Sequence, residues 1–246
     1  MSEVLNDDRV ALIDIGNSTI KVSVLSDPAS LVFHCKKIEE LCCWLLTKQF
    51  LTSIYCANVR TKESLIPLER FCDEKNIALS VIATGKEFAG LKNSYQNESN
   101  MGVDRWLSML ACTKLTQSPF AVLMFGTAIT CDIVANGQHL GGWIIPGRKL
   151  MQDALTKNTA RVFCEQSNAQ NLDVGQSTPD CVDTGCFAAA LGVITMAESY
   201  LCSRFKQKSI FLTGGDKKVL TAVNRSAIFR VENLVLQGLT CYAKPS

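Results

Sequence analysis

Histidine is scarce. The 246 residues contain two, His34 and His139, and neither lies in sequence beside a plausible nucleophile or a second metal ligand. That argues against a histidine-based triad and against a histidine-rich metal site. No Cys-x-x-Cys pair occurs among the twelve cysteines; the closest neighbours are Cys42 with Cys43 and Cys181 with Cys186. Neither a zinc site nor a disulfide framework is indicated, so the cysteines read as small buried hydrophobes. Charge of one sign is missing too: 25 basic against 23 acidic residues leave a net +2. Such a balance gives no reason to expect nucleic acid or a membrane as a partner. No uninterrupted run approaches the roughly 20 apolar residues that span a bilayer. The first residues, Met1 to Arg9, are acidic and lack the apolar stretch of a signal peptide, so a cytoplasmic location is expected. With 47% hydrophobic and 20% charged residues the chain is an ordinary globular one. Its chemistry must rest on carboxylates, hydroxyls, backbone amides, Arg and Lys.

What is present begins with Ala11–Val24, two β-branched runs around Gly16-Asn17-Ser18, with Asp14 just ahead of the glycine. This reads as a hairpin whose tight turn leaves N–H groups open, a setting that suits phosphate, while a carboxylate at the strand end suits a divalent metal. Strand and helix signals then alternate: a strand near Leu31–Cys35, a helix over Ile38–Phe50, a strand at Ser53–Val59, a helix near Leu65–Lys75 and a strand at Ala78–Ile82. The alternation predicts an α/β fold with a mixed sheet. A polar stretch from Lys92 to Asn100 leads into Met101-Gly-Val-Asp-Arg and an apolar helix. Asp104 and Arg105 fall at that helix's start, where a carboxylate either caps the helix or helps form a pocket.

Gly126 lies 110 residues after Gly16 and is again flanked by apolar runs, Ala121 to Val134. The repeat predicts two similar halves, residues 1–117 and 118–246. Met124 stands where Asp14 stands in the first copy, while Thr127 and Thr130 keep hydroxyls. Further on come Gly141-Gly-Trp-Ile-Ile-Pro-Gly-Arg, a helix near Leu150–Thr156, the segment Asp173–Asp180, a small-residue helix after Pro179, a strand ending in Gly214-Gly215-Asp216, and a last helical turn over Val231–Leu239.

In this order the motifs resemble the type III pantothenate kinases of the acetate and sugar kinase, Hsc70 and actin superfamily, over about Ala11 to Leu239. The resemblance implies two ribonuclease-H-like (actin-like ATPase) halves with mixed five-stranded sheets and flanking helices, with a nucleotide in the cleft. It implies transfer of the γ-phosphoryl of ATP to pantothenate, the first step of coenzyme A synthesis, by a homodimer using Mg²⁺ and a monovalent cation, K⁺ or NH₄⁺. Asp104 would be the catalytic base. Tyr95, Gly102, Val103, Arg105 and Thr178 would hold pantothenate with it, Thr178 from the partner subunit. Asp14 would organise Mg²⁺. Ile15, Gly16, Asn17, Ser18, Thr19, Ile20 and Lys21, with Thr127 and Thr130, would surround the nucleotide, and Asp132 would help bind the monovalent cation. Three positions depart from the family pattern: Ser18 for Thr, Glu98 for Pro, and Met124 for a second acidic residue. The last motivates an alternative, a non-catalytic relative acting as a ligand-binding accessory or regulatory protein. Another sugar or acid kinase of the superfamily is disfavoured by the short chain and by Tyr95 ahead of Gly102.

Overall fold

The computed structural model describes residues 7–158 and 174–243; Asp173 lies outside the described residues. The chain forms two compact units, one of residues 1–115 with 232–246 and one of residues 116–231.

In the first unit, β1 (Val10–Ile15) and β2 (Ile20–Val24) form the expected hairpin, followed by β3 (Phe33–Cys35), α1 (Ile38–Leu45), β4 (Ser53–Asn58), α2 (Ile66–Lys75) and β5 (Ala78–Ile82). The sheet runs β3-β2-β1-β4-β5, antiparallel on the hairpin side and parallel from β1 to β5. One face, Ile13, Ile15, Ile20, Val22, Ile54 and Cys56, packs on Ile38, Leu41, Leu45, Leu68 and Cys72 of α1 and α2. Helix α1 stops at Leu45, short of Phe50, which is exposed. Helix α2 ends where Asn76 takes the left-handed conformation, a cap that asparagine tolerates. A short hairpin, β6 (Glu87–Phe88) and β7 (Leu91–Lys92), precedes α3 (Val103–Leu115).

The second unit comprises β8 (Phe120–Phe125), β9 (Ala128–Ala135), β10 (Gln138–Pro146), α4 (Arg148–Asn158), α5 (Thr178–Cys202), β11 (Ser209–Gly214), α6 (Lys217–Ala222) and β12 (Ile228–Arg230). Its strands run β10-β9-β8-β11-β12, the order and directions of the first unit repeated. Ala121, Leu123, Phe125, Ile129 and Leu212 face Phe187, Ala190, Ile194, Ala197 and Leu201 of α5. Helix α5 is long and apolar enough to cross a membrane by length and composition, although the run of uninterrupted apolar residues is short. Its buried face, Phe187, Ala190, Ile194, Ala197 and Leu201 against the sheet, makes it a core helix of this unit.

The final helix, α7 (Leu234–Ala243), is three turns long and well buried, more than the last helical turn expected. It packs on α3 of the first unit, although it follows the second unit in the chain and falls within the expected half 118–246. Gly238 lets the two helices touch backbone to backbone, since a Cβ there would collide with the Leu107 carbonyl. Trp106 Nε1 donates to the Tyr242 hydroxyl at 2.9 Å, and Tyr242 stacks on Phe88. The cysteines of the described residues are all free thiols; burial pushes Cys56, Cys72 and Cys112 up, as suits core residues.

Candidate active site

In the first unit the functional side chains gather at the carboxyl ends of β1 and β4 and at the start of α3, where ligands of open α/β sheets bind. Asp14 is the penultimate residue of β1 and pairs across the hairpin with Lys21. Burial drives its carboxyl up to about 6, against the pull of Lys21, and the charge of Asp104 raises it further. Two carboxylates thus feel one another at one end of the sheet, as the sequence alone did not require. Beyond Asp14 the turn closes with Gly16 N donating to Thr19 O at 3.1 Å. Asn17 and Ser18 are exposed at its tip, while Ile15 and Ile20 are core residues closing the strand pair, so their contribution to a ligand is through the backbone.

Arg60, which no local motif marks, fastens this turn. Its Nε donates to Gly16 O at 2.8 Å and its Nη2 to Lys36 O at 3.2 Å, and Asn58 Oδ1 accepts from its N–H. The available signal was its position just past β4, the parallel neighbour of β1.

Asp104 and Arg105 open α3, and the two diverge as consecutive helical residues must. Asp104 Oδ1 accepts from Arg105 N at 2.9 Å and sits so close to Gly102 that a Cβ there would collide with it. Arg105 is not solvated: it is 4% exposed, and its Nη1 donates to the Tyr95 hydroxyl at 3.0 Å. Val103, the first residue of α3, is buried. The loop carrying Tyr95 is held by the buried Asn93, which accepts from Tyr95 N and donates to Gly85 O, and by Lys86, which donates to Tyr95 O. Asn97 caps the turn containing Glu98 by accepting from Ser99 N, so this loop closes without the proline.

In the second unit the matching turn is shorter: Gly126 N donates to Ala128 O, leaving Gly126 and Thr127 exposed. Met124, half-buried, pairs with Thr130 on β9 and Thr213 on β11. The Thr130 hydroxyl is buried with no partner among the described residues. Asp132 is buried against His139, with Nε2 3.1 Å from Oδ1. That histidine had no visible partner in the sequence, because a hairpin brings together residues seven apart. Thr178, the first residue of α5 after its Ser177 cap, is exposed on a groove of about 820 Å³ lined also by Pro146, Met151, Leu155 and Gly185.

Among the described residues no group of three or more His, Cys, Asp or Glu side chains is spaced to hold a metal ion unaided. Asp14 suits a divalent cation differently: its ionised form is costly in the bare protein, and a cation shared with phosphate oxygens would relieve that cost.

The family model described as type III pantothenate kinase matches residues 10–198. A relative of that name from Pseudoalteromonas atlantica is 34% identical over 250 residues, covering 98% of this chain and 99% of its own. Among solved structures, a candidate Baf family transcriptional activator from Campylobacter jejuni superposes with a TM-score of 0.60 at 24% identity, over 93% of this chain and 94% of that one. A candidate N-acetylmannosamine kinase from Listeria monocytogenes gives 0.53 at 13% identity, over 95% and 98%. At those identities the likeness concerns the fold, the actin-like ATPase and sugar kinase fold that the repeated strand order already describes.

Proposed function

The chain belongs to the type III pantothenate kinase family, and we propose that its phosphoryl transfer rests on Asp14, Asp104 and Arg105 of the first unit together with the glycine turns of the second. It is a pantothenate kinase, a phosphotransferase of coenzyme A synthesis that uses ATP. The observation that supports the first-unit assignments is a carboxyl, Asp14, buried at the end of β1 near the Asp104 that starts α3, with Arg105 held beside it by Tyr95.

Phosphoryl transfer asks the protein for positioning and charge neutralisation more than for covalent chemistry. Asp104 receives the primary hydroxyl of pantothenate as a hydrogen-bond donor. As the oxygen bonds to the γ-phosphorus and ADP departs, the proton passes to the Asp104 carboxylate. Arg105 is preorganised by Tyr95 to pair with the pantothenate carboxylate. The segment Gly102–Val103 lets the substrate approach the start of α3. In the first unit the turn from Ile15 to Ile20 with Lys21 contributes to nucleotide binding; in the second, Thr127 and Thr130 do. Asp14 would hold Mg²⁺, which would supply neutralisation of phosphate charge, and Asp132 would contribute to a K⁺ or NH₄⁺ site.

The enzyme works as a homodimer, in which Thr178 is supplied to pantothenate by the second copy. Exposed Gly185, Ala188, Ala189 and Gly192 make a flat face on α5 that another copy can approach closely. The partners are pantothenate and ATP, with no nucleic acid or membrane, and the location is the cytoplasm.

Coupled ATP consumption with pantothenate, Mg²⁺ and K⁺ or NH₄⁺ tests this. Turnover is expected, lost on chelation of Mg²⁺ or on removal of the monovalent cation. Asp104→Asn is expected to lower kcat by about 10²–10⁴-fold in a folded chain of unchanged size. A fully active Asp104→Asn enzyme removes the base assignment. Binding of both substrates without turnover in the natural chain would favour a ligand-binding accessory protein, the reading that Met124 motivates.

A further inference from the structure

Three turns of the second unit meet backbone to backbone. Gly147 N donates to Thr127 O at 2.9 Å, and a Cβ on Gly147 would collide with the Gly126 carbonyl. Gly215 N and Asp216 N both donate to Phe125 O, at 2.8 and 3.3 Å, while Gly214, at φ +121°, presses on the Phe125 backbone. The far side of Gly215 is bare: a Cβ there would meet nothing within 4 Å. A ligand could therefore lie directly on this turn.

One side chain ties the turns together. Arg148, the residue after Gly147, sends Nη1 to Asp216 Oδ1 and Oδ2, at 3.2 and 3.4 Å, and Nη2 to Asp183 Oδ1 at 3.0 Å. Its side chain is 10% exposed and its guanidinium lies 5.0 Å from the Phe187 ring centre. Asp216 also caps α6, accepting from Val219 N, and Asp183 on α5 also accepts from Gln152 Nε2 at 2.7 Å. One cation thus answers two carboxylates on two different elements. A planar fork can do that; a point charge such as Lys cannot match both directions.

The arrangement is poor as a stabilising device. Burying charges costs about what their attraction returns, and an apolar cluster of similar volume often holds a fold as well. Two atoms are left over: Arg148 Nε and Asp183 Oδ2 are buried without a partner among the described residues. A half-satisfied buried network costs stability, so it does not serve the fold.

We propose that Arg148 is a positioning residue for the nucleotide: held by Asp183, it fixes Asp216 so that the bare Gly214–Gly215 turn stands ready to receive ATP. This rests on the reading that the glycine turns of the second unit bind nucleotide. Arg148 itself touches no reacting atom.

The test uses the full chain with Arg148→Lys, Arg148→Met and the double variant Arg148→Met with Asp183→Asn, which removes the buried charge that Arg148→Met would strand. For each, KM is measured for ATP and for pantothenate, binding of a fluorescent methylanthraniloyl-ATP by titration, and Tm by calorimetry. The expected result is a rise of about tenfold in the ATP KM and in the Kd of the labelled nucleotide for Arg148→Met and the double variant, with the pantothenate KM within about twofold. Arg148→Lys should fall between these and the natural chain, and the double variant should melt near the natural chain. A folded double variant with an ATP KM within about twofold of normal overturns the proposal, as does an equal rise in both KM values. Failure of the natural chain to bind the labelled nucleotide overturns instead the reading on which the proposal stands.

Discussion

Asp14 shows at the scale of one residue how a site can be held at the expense of the fold. Its carboxyl titrates near 6 in the folded chain against an ordinary 3.8. Between those values the folded chain holds a proton that the unfolded chain has released, so stability falls as pH rises through the window and stays lower above it. The shift corresponds to a penalty of up to about 3 kcal/mol at neutral pH. Asp14→Asn in metal-free protein should therefore raise Tm at pH 8 and leave it unchanged at pH 3.5, while losing ATP-dependent turnover. Melts with a chelator at the two pH values check this, and an unchanged Tm at pH 8 would contradict it. Met124 poses the converse case. Placing a carboxylate there, beside the orphaned Thr130 hydroxyl, should lower the Mg²⁺ concentration that half-saturates turnover in Met124→Asp. A Mg²⁺ titration of the two enzymes reads it directly.

At the scale of elements, α3 and α7 of the first unit meet backbone to backbone at Gly238. A methyl group there meets the Leu107 backbone, which cannot swing aside as a side chain can. Gly238→Ala should cost about 1–3 kcal/mol despite its better helix propensity, seen as a lower urea midpoint with m unchanged. A neutral result would mean that the helices separate without penalty. Much at this scale was legible in the sequence. The hairpins, α2, α3 and β11 follow from apolar periodicity and glycine turns, because their signals are local. What was hidden depended on distant partners. Arg60, Arg148 and Asp183 acquire their roles only when a turn or a carboxylate far along the chain arrives beside them. Asp183 carried one faint signal, a charge one turn inside a largely apolar helix, past the Asp180 of its first turn. The pairing of Tyr95 with Arg105 is half visible in the sequence: both belong to the polar lead into α3, while nothing local shows that the guanidinium is buried.

At the scale of the molecule, the repeat of 110 residues proved to be a repeat of topology, with both units ordering their strands alike. The placement of α7 was not readable in this way, since a helix records its apolar face but not which sheet or helix will cover it. Its position makes a further prediction. Removing residues 232–246 should unfold the first unit, which loses the helix packed on α3, while the second unit loses none of its own elements. Limited proteolysis should then cut within 10–115 and spare the strands between 120 and 230; equal protection of both regions would contradict it. The same placement sets an order on biosynthesis. The second unit is continuous and can fold as it leaves the ribosome, whereas the first, although made earlier, must wait for a helix translated after the whole of the second. For that interval the nascent chain carries an uncovered α3 outside the ribosome, and the first unit is completed only when α7 emerges after the second.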